Sequence, residues 1–94
     1  MTTTITHKAR GTQGIFFIKD HTNVISELMY IKRNDVITIN QTNTKRPSEG
    51  KGLASRLVSK AVEFARENQY KINPLCPFTE VQFERNPQYR DVLI

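Results

Sequence analysis

The amino-acid sequence lacks several features that define common protein classes. Its single cysteine excludes an internal disulfide and suits a reducing cytoplasm. No apolar run approaches the ~20 residues of a membrane-spanning helix. The start, MTTTITHKARGTQG, has neither a positive leader nor an apolar core, so no signal peptide is expected. Low-complexity tracts are also absent, and we expect one folded cytoplasmic domain over residues 1–94.

Acidic side chains are scarce, and the imbalance is concentrated in one segment. The chain has 14 Lys and Arg against 9 Asp and Glu, a formal net charge of +5. Several basic residues fall within a short stretch whose one acidic residue is Glu49: Lys45, Arg46, Lys51, Arg56 and Lys60. This cluster predicts an anionic ligand nearby. A charge run is also typical of a solvated helix face, which is the alternative interpretation.

Hydrophobic patterning predicts β structure in the first half of the chain, over residues 5–42. The predicted strands are ITHKA from residue 5, GIFFIKD at 14–20, VISELMYIK at 24–32 and VITINQT at 36–42. Turn signals such as KDHTN and RND separate these runs, which indicates an antiparallel meander. Apolar side chains occupy both faces of the central strands, so we expect helices or a partner to cover both sides.

The second half predicts a helix, a strand and a second helix. Apolar residues recur at three- and four-residue spacing from Leu53 to Ala65, which predicts a helix over about 50–68. YKINPLC, at 70–76, has the composition of a buried strand, and the crossover rule makes it parallel to VITINQT. A short helix is predicted over 78–85, followed by a frayed or extended end. The predicted fold class is therefore α+β, a mixed α/β sandwich.

A glycine loop, SEGKG, stands between the last meander strand and the long helix. This geometry favours an anion, because the first N–H groups of a helix have no intrahelical acceptor and carry partial positive charge. A Walker loop is excluded, since its first glycine and its hydroxyl after the lysine are missing. A dinucleotide fingerprint is excluded as well, because GKGLAS places Ser55 at the third glycine position.

The segment EGKGLASRLVSKAVEFAREN resembles the coenzyme A loop and following helix of the GNAT N-acetyltransferases, whose motif is [Arg/Gln]-x-x-Gly-x-[Gly/Ala]. Gly52 and Ala54 match this motif, while Glu49 stands where the family has Arg or Gln. PLCPF and ERNPQY are similar to the small single-domain branch represented by bacterial YjdJ-type proteins. The resemblance extends over residues 14–90. It implies a minimal GNAT fold with an antiparallel meander, a central helix, a parallel splayed strand and a short C-terminal helix.

The resemblance also implies that acetyl-CoA binds where the last meander strand and the parallel strand splay apart. Backbone groups of 39–42 are then expected to pair with the pantetheine arm, and N–H groups of 50–54 to hold the pyrophosphate. Basic side chains are expected to neutralise the remaining phosphate charge. The residues implied for coenzyme A or acetyl-CoA are Ile39, Asn40, Gln41, Thr42, Lys45, Arg46, Gly50, Lys51, Gly52, Leu53, Ala54 and Arg56. No metal site is predicted.

Two residues are candidates for the chemistry. The mapping brings Cys76 near the acyl sulfur, where it would act as an acyl-accepting nucleophile or a proton donor. The alternative is that Cys76 is a small buried apolar residue. Tyr89 is a candidate proton donor, and packing of its ring is the alternative. The two histidines, His7 and His21, are predicted to be exposed surface residues.

Three departures from the family pattern bear on turnover. Glu49 puts an anion near the predicted phosphate site, Gln41 stands where relatives often carry histidine, and Phe83 stands where larger enzymes can place a proton-donating tyrosine. A coenzyme A-binding module without efficient transfer is therefore the second function hypothesis. A small basic RNA-binding domain is the third, although no exposed aromatic pairs interleave with the basic residues.

The acceptor side is expected to be open. Larger GNAT enzymes place two helices between their first and second strands, and only a turn separates the candidates in this sequence. An open face suits a protein amine or a polyamine, or it is completed by another subunit. The first hypothesis is thus an acetyl-CoA-dependent N-acetyltransferase whose acceptor is an unidentified amine, without a membrane or nucleic acid partner.

Overall fold

A computed structural model describes residues 4–94 as a five-stranded sheet with two helices. The strands are β1 Ile5–Arg10, β2 Gln13–Asp20, β3 Asn23–Arg33, β4 Val36–Thr44 and β5 Lys71–Pro74; the helices are α1 Leu53–Asn68 and α2 Pro77–Arg85. Short 3-10 helices occupy Arg46–Ser48 and Pro87–Val92. Neighbouring strands follow chain order, and all pairs are antiparallel except β4 with β5. The predicted meander, helix and parallel strand are confirmed.

A bulge interrupts β4 where it pairs with β3. Tyr30 lies opposite Ile39, but Met29 lies opposite Gln41, so Asn40 is left over in β4. An extra residue of this kind bends its strand and increases the local twist. The bulge therefore turns the end of β4 away from the regular line of the sheet.

The parallel pair of β4 and β5 is short and ends at the bulge. It runs from Val36 opposite Lys71 to Ile39 opposite Pro74. The Cys76 N–H then donates to the Ile39 carbonyl at 2.9 Å, which is the last backbone bond of this seam. Beyond it β4 continues to Thr44 without a partner on the β5 side in the described chain.

Helix α1 packs its apolar stripe against the sheet. Leu53, Leu57, Val58, Ala61, Val62 and Ala65 are buried on one helical face. The predicted start near Gly50 is wrong, since Gly50 and Gly52 have φ values of +80° and +74°, which no helical residue adopts. The predicted end at Asn68 is confirmed; Gln69 closes the helix in the left-handed conformation.

Both helices lie on one face of the sheet. Residues of α1, α2 and the C-terminal 3-10 helix join one core cluster with the inward residues of the strands, such as Phe16, Leu28 and Ile39. The expectation that helices cover both faces is therefore wrong for the described chain, while a partner on the other face stays a prediction. On the helix-free face Phe17 is only 6% exposed, because the side chains of Lys8 and Lys19 lie over its ring.

Strand β5 and helix α2 meet at Cys76. The predicted strand end at residue 76 and helix start at 78 are both shifted, because Cys76 is the residue that precedes the first turn of α2 and Pro77 opens the helix. Neither helix of residues 4–94 is long and apolar enough to cross a membrane.

Candidate functional site

The glycine loop between β4 and α1 is fastened at its start. The Lys45 N–H donates to the Ile25 carbonyl at 2.9 Å, and the Ser48 N–H donates to the Lys45 carbonyl at 2.8 Å. Ser48 is buried, while Glu49, Gly50, Lys51 and Gly52 are exposed. The loop thus has a fixed entry from the sheet and presents its glycines to solvent.

The start of α1 offers free backbone donors. Arg56 is the first residue whose N–H finds an acceptor in the helix, the Gly52 carbonyl at 3.1 Å. No side chain within residues 4–94 caps this end, and Gly52 occupies the cap position. The N–H groups of Leu53, Ala54 and Ser55 therefore lie at the positive end of the helix dipole and can bind an anion.

These donors open into a crevice of about 390 Å³. The predicted cofactor residues that line it are Thr42, Gly50, Gly52, Leu53 and Ala54. Glu49, which was predicted to lie near the phosphate, also lines the crevice, whereas Thr44, Ser48, Ser55 and Phe78 were missed as lining residues. The hydroxyl groups beside the glycines were a usable signal for Ser48 and Ser55. Phe78 carried no such signal, because only the folded topology brings α2 against the loop.

The predicted basic residues surround the crevice and do not line it. Lys45, Arg46, Lys51 and Arg56 are all exposed to solvent. An exposed cation contributes at most about 1 kcal/mol to an ion pair and is screened by salt. Glu49, by contrast, belongs to the lining and puts a carboxylate beside the helix start. Backbone donors are therefore the main anion-binding groups.

The predicted β4 residues divide between the paired part of the β4–β5 seam and the gap beyond it, where β4 has no β5 partner. Ile39 lies inside the β4–β5 ladder with a buried side chain, and its carbonyl already accepts the Cys76 N–H. Asn40, Gln41 and Thr42 follow it and have no β5 partner. Gln41 faces the helix-free side with Met29, whereas Thr42 faces the helices with Leu28. The unpaired edge therefore begins at Asn40.

Cys76 lies at this gap with a polar environment around its sulfur. The side chain is buried, 8% exposed, and the Thr42 hydroxyl oxygen lies 3.4 Å from Sγ. Burial by itself raises the pKa of the Cys76 thiol. Hydrogen bonds from Thr42 and from the N–H groups of Thr79 and Phe78 outweigh burial and lower the pKa below its ordinary value. The arrangement favours the thiolate.

Thr79 places a second hydroxyl near this sulfur. Its Oγ1 is buried and has no hydrogen-bond partner among the described residues, yet it is close enough to contribute to the lowered pKa of Cys76. A buried polar atom without a partner is uncommon in a folded protein. The hydroxyl is therefore available to the Cys76 thiolate.

Tyr89 lies apart from the crevice lining. Its half-buried ring packs edge-on against Phe83, with 5.5 Å between ring centroids. Phe83 is itself buried in the core. The Tyr89 ring thus has a defined packing contact, as the alternative interpretation expected. Its role as a proton donor stays a prediction.

The crevice and the gap together fit coenzyme A. The free N–H groups of the first turn suit a phosphate, and the unpaired β4 edge suits an extended chain with amide groups, which can pair as an added strand does. Among the described lining residues, Glu49 is the one whose charge opposes a phosphate. The residues present therefore fit the group, with a carboxylate that weakens its binding.

Comparison with known proteins identifies the family of the chain. The profile of the GCN5-related N-acetyl-transferase family matches residues 15–92. The chain is similar to the NMR solution structure of a GCN5-like protein from Staphylococcus aureus that is assigned to the N-acetyltransferases. The two are 31% identical with a TM-score of 0.73, and the match covers 95% of this chain and 87% of that one.

Two crystal structures share the fold at lower identity. One is a protein of Staphylococcus aureus assigned to the GNAT acetyltransferases, with 15% identity, a TM-score of 0.61, and coverage of 69% of this chain and 57% of that one. The other is the ribosomal-protein-alanine N-acetyltransferase of Brucella melitensis biovar Abortus, with 13% identity, a TM-score of 0.59, and coverage of 88% and 64%. No curated protein matches the chain significantly.

Proposed function

Because the chain belongs to the GCN5-related N-acetyltransferase family, we propose that it moves an acetyl group from acetyl-CoA to an amine acceptor. The observation that carries this proposal is the crevice itself. It joins the uncapped start of α1 to the end of β4 that has no partner on the β5 side. We further propose that residues 1–94 act as one acyl-CoA-binding domain, and that the free thiol works in a reducing cytoplasm.

Binding is assigned to backbone groups first. The N–H groups from Gly50 to Ala54 would hold the pyrophosphate, and the exposed cations around the loop would add a salt-dependent attraction. Backbone groups of Asn40, Gln41 and Thr42 would pair with the pantetheine arm. The Ile39 carbonyl already accepts the Cys76 N–H, which closes the end of the gap, and a contact of Ile39 with the arm stays a prediction.

Bound acetyl-CoA supplies a thioester carbonyl, whose C–S bond breaks as the amine nitrogen forms a C–N bond and the amine proton passes to the departing sulfur. The chain has to orient the amine and offer a donor to the carbonyl oxygen. We assign the donor to a backbone N–H at or after the bulge, from Gln41 or Thr42. Positioning of the amine against the thioester is the main contribution that this small site can make to the rate of transfer.

Cys76 is assigned a direct part in the chemistry. Its sulfur lies beside the gap and accepts hydrogen bonds that favour the thiolate. Such a thiol can accept an acetyl group, or it can deliver a proton to a departing thiolate. Tyr89 remains the second candidate proton donor, and its ring would have to leave Phe83 to act so.

The experiment that tests the proposal is a titration of the labelled protein with acetyl-CoA, followed by backbone amide NMR. We expect the largest shifts at Lys51, Gly52 and Leu53 and at residues 40–42. If saturating acetyl-CoA leaves these amides unperturbed, the proposed function is wrong.

A matched pair of glycine variants sharpens the titration. Gly52 and Gly11 both have positive φ, and a Cβ at either would meet nothing within 4 Å. Gly52→Ala and Gly11→Ala therefore carry the same strain, about 1–2 kcal/mol. Only Gly52→Ala alters the loop at the crevice, so it should weaken acetyl-CoA binding by roughly tenfold. An equal loss in Gly11→Ala would show that general destabilisation is the cause.

Gln41 and Phe83 favour one second function, a coenzyme A-binding module with little transfer. Relatives often carry histidine where Gln41 stands, and larger enzymes can place a proton-donating tyrosine where Phe83 stands, but neither side chain of this sequence can exchange a proton. Release of free thiol from acetyl-CoA with a panel of amines separates the two functions. Binding without thiol release identifies the module, and steady release identifies the transferase.

A further inference from the structure

A shallow apolar groove crosses the helix-free face of the sheet. It encloses about 510 Å³. Its floor is formed by the half-buried Ile15, Met29 and Ile31, and two cations, Lys8 and Arg10, stand at its β1 end. Asn40 lies at its other end. Neither helix packs over this face in the described chain.

The groove follows one row of the strand register. Lys8 pairs with Ile15, Ile15 pairs with Met29, and Met29 pairs with Gln41. The row therefore runs across the strands, from the edge strand β1 to the bulge of β4. With neighbouring strands about 4.8 Å apart, three steps span roughly 14 Å.

The far end of this row is the gap described above. Asn40 follows Ile39, the residue whose carbonyl accepts the Cys76 N–H. Asn40 is also the extra residue of the bulge and the first residue of β4 without a β5 partner. A molecule that lies in the groove therefore reaches the gap from the side opposite α1.

The charged residues of the groove limit which kind of molecule can bind in it. The described lining holds the cations Lys8 and Arg10 and no carboxylate. Glu27 stands on the same face, two residues before Met29, but it does not line the groove. A cationic polyamine would meet like charge, and so would a second copy of the chain that faced this surface with its own Lys8 and Arg10. An occupant with both apolar and acidic groups is complementary.

We propose that this groove binds the acceptor as a protein segment, in which apolar and acidic side chains flank the amine that receives the acetyl group. The proposal rests on the proposed transferase function, because the groove matters as an acceptor site only if the gap presents an acetyl group. It narrows the acceptor to a protein amine and places that acceptor on the helix-free face.

The first test measures docking without turnover. Methyl NMR of the full-length protein, saturated with coenzyme A, is recorded with two synthetic probes. One is a lysine peptide flanked by leucine and glutamate; the other has arginine in place of each glutamate. The acidic peptide should shift the methyl groups of Ile15, Met29 and Ile31, and the basic peptide should not.

The second test uses a matched pair of charge variants. Lys8→Glu/Arg10→Glu reverses the charge at the groove, while Lys19→Glu is the control. Lys19 covers the Phe17 ring at 5.7 Å much as Lys8 does at 5.8 Å, but Lys19 does not line the groove. The double variant should raise the KM for the acidic peptide roughly tenfold and favour the basic peptide. Lys19→Glu should leave the KM values for the acidic and the basic peptide unchanged.

The outcomes separate this proposal from the proposed function. Shifts of the groove methyl groups, with no acetylation of either peptide and no thiol release with the amine panel, would support docking and overturn the transferase. Equal acetylation of acidic and basic peptides, unaffected by the double variant, would overturn docking and leave the transferase standing. Shifts of the same methyl groups on raising protein concentration without peptide would show that a second copy covers the groove, which also overturns the proposal.

Discussion

At the scale of single residues, the environment of Cys76 is decided by a change of backbone direction. The chain leaves β5 and enters α2 at this residue, so its sulfur lies next to N–H groups of the first helical turn. Burial opposes ionisation, and the surrounding donors favour it. Because the donors prevail, the thiol is more acidic than its buried position alone would allow.

Replacement of Thr79 by valine tests this balance. The two side chains are nearly isosteric, and the Thr79 hydroxyl is buried without a hydrogen-bond partner. Its removal should raise the free energy of unfolding by about 1 kcal/mol. The same change removes a group that lowers the pKa of Cys76, so the thiolate absorbance should titrate at higher pH and acetylation of Cys76 by acetyl-CoA, followed by mass spectrometry, should slow. Unchanged stability and acidity would contradict the assignment.

Thr38→Val serves as the control for that experiment. Thr38 lies on β4 one residue before the seam ends, and it pairs with Ile31 on the helix-free face. It shares the strand with Thr42 but not the surroundings of the thiol. Its substitution should therefore leave the titration of Cys76 unchanged.

Part of the residue-scale picture could be predicted from the sequence. Pro77 directly after Cys76 is a signal for the first position of a helix, which makes Cys76 the cap residue. The prediction of a helix from residue 78 overlooked that signal and so missed the source of the acidity. The contact with Thr42 could not be predicted, because the two residues are 34 positions apart and meet only through the splayed seam.

At the scale of elements, the amphipathic pattern predicted α1 to within a few residues. The pattern is reliable because one stripe of α1 packs on the sheet, and the error at its start comes from two glycines whose positive φ is invisible to hydrophobic periodicity. The β4 bulge could not be predicted either. Asn40 is an extra residue only relative to its partner in β3. The apolar–polar alternation of VITINQT ends at Ile39, so the polar residues that follow do not reveal the change of register.

The packing of β2 against β3 depends on a close approach at Gly14. Gly14 lies opposite Tyr30, and a Cβ at Gly14 would fall 2.0 Å from the Tyr30 ring. That ring is buried and held in place, because its hydroxyl lies 2.6 Å from the His7 Nε2. The close approach leaves room for glycine alone at this position.

Gly14→Ala should therefore destabilise the protein by roughly 1–3 kcal/mol, the usual cost of overpacking a core. Urea denaturation measures this loss. In a Tyr30→Leu background the ring is gone, and the cost of adding the methyl group should be much smaller. An equal cost in both backgrounds would show that the ring is not what excludes the side chain.

At the scale of the whole molecule, both helices of residues 4–94 cover the same face of the sheet. Apolar side chains on both faces of the central strands predicted that helices or a partner would cover each face. On the helix-free face, the aliphatic parts of Lys8 and Lys19 cover Phe17, and the apolar residues around it are half-buried. Sequence pattern records that a side chain is apolar and does not record what covers it. The open acceptor side was predicted from the short turn between the first two strands, whereas the groove on the helix-free face was not predicted.

Two contacts, one of His7 and one of Asp91, link the stability of the molecule to pH. His7 is exposed, as predicted, but its ring stacks on Phe16 at 4.1 Å between centroids, and this partial burial lowers its pKa below the ordinary 6.5. Asp91 fastens the C-terminal 3-10 helix, and the hydrogen bond from Arg66 lowers its pKa below the ordinary 3.8. In each case the unfolded state takes up the proton first as pH falls, so acid favours unfolding.

The free energy of unfolding should therefore fall in two separate ranges of pH. The first loss begins near 6.5, where His7 is protonated in the unfolded chain, and ends below its folded pKa. The second begins near 3.8 for Asp91. Urea denaturation across this range, with His7→Gln and Asp91→Asn, assigns the steps: the former should remove the upper step and the latter should reduce the lower one. Glu67→Gln, an exposed acid of α1 beside Arg66, is the control. An upper step that survives in His7→Gln would contradict this origin.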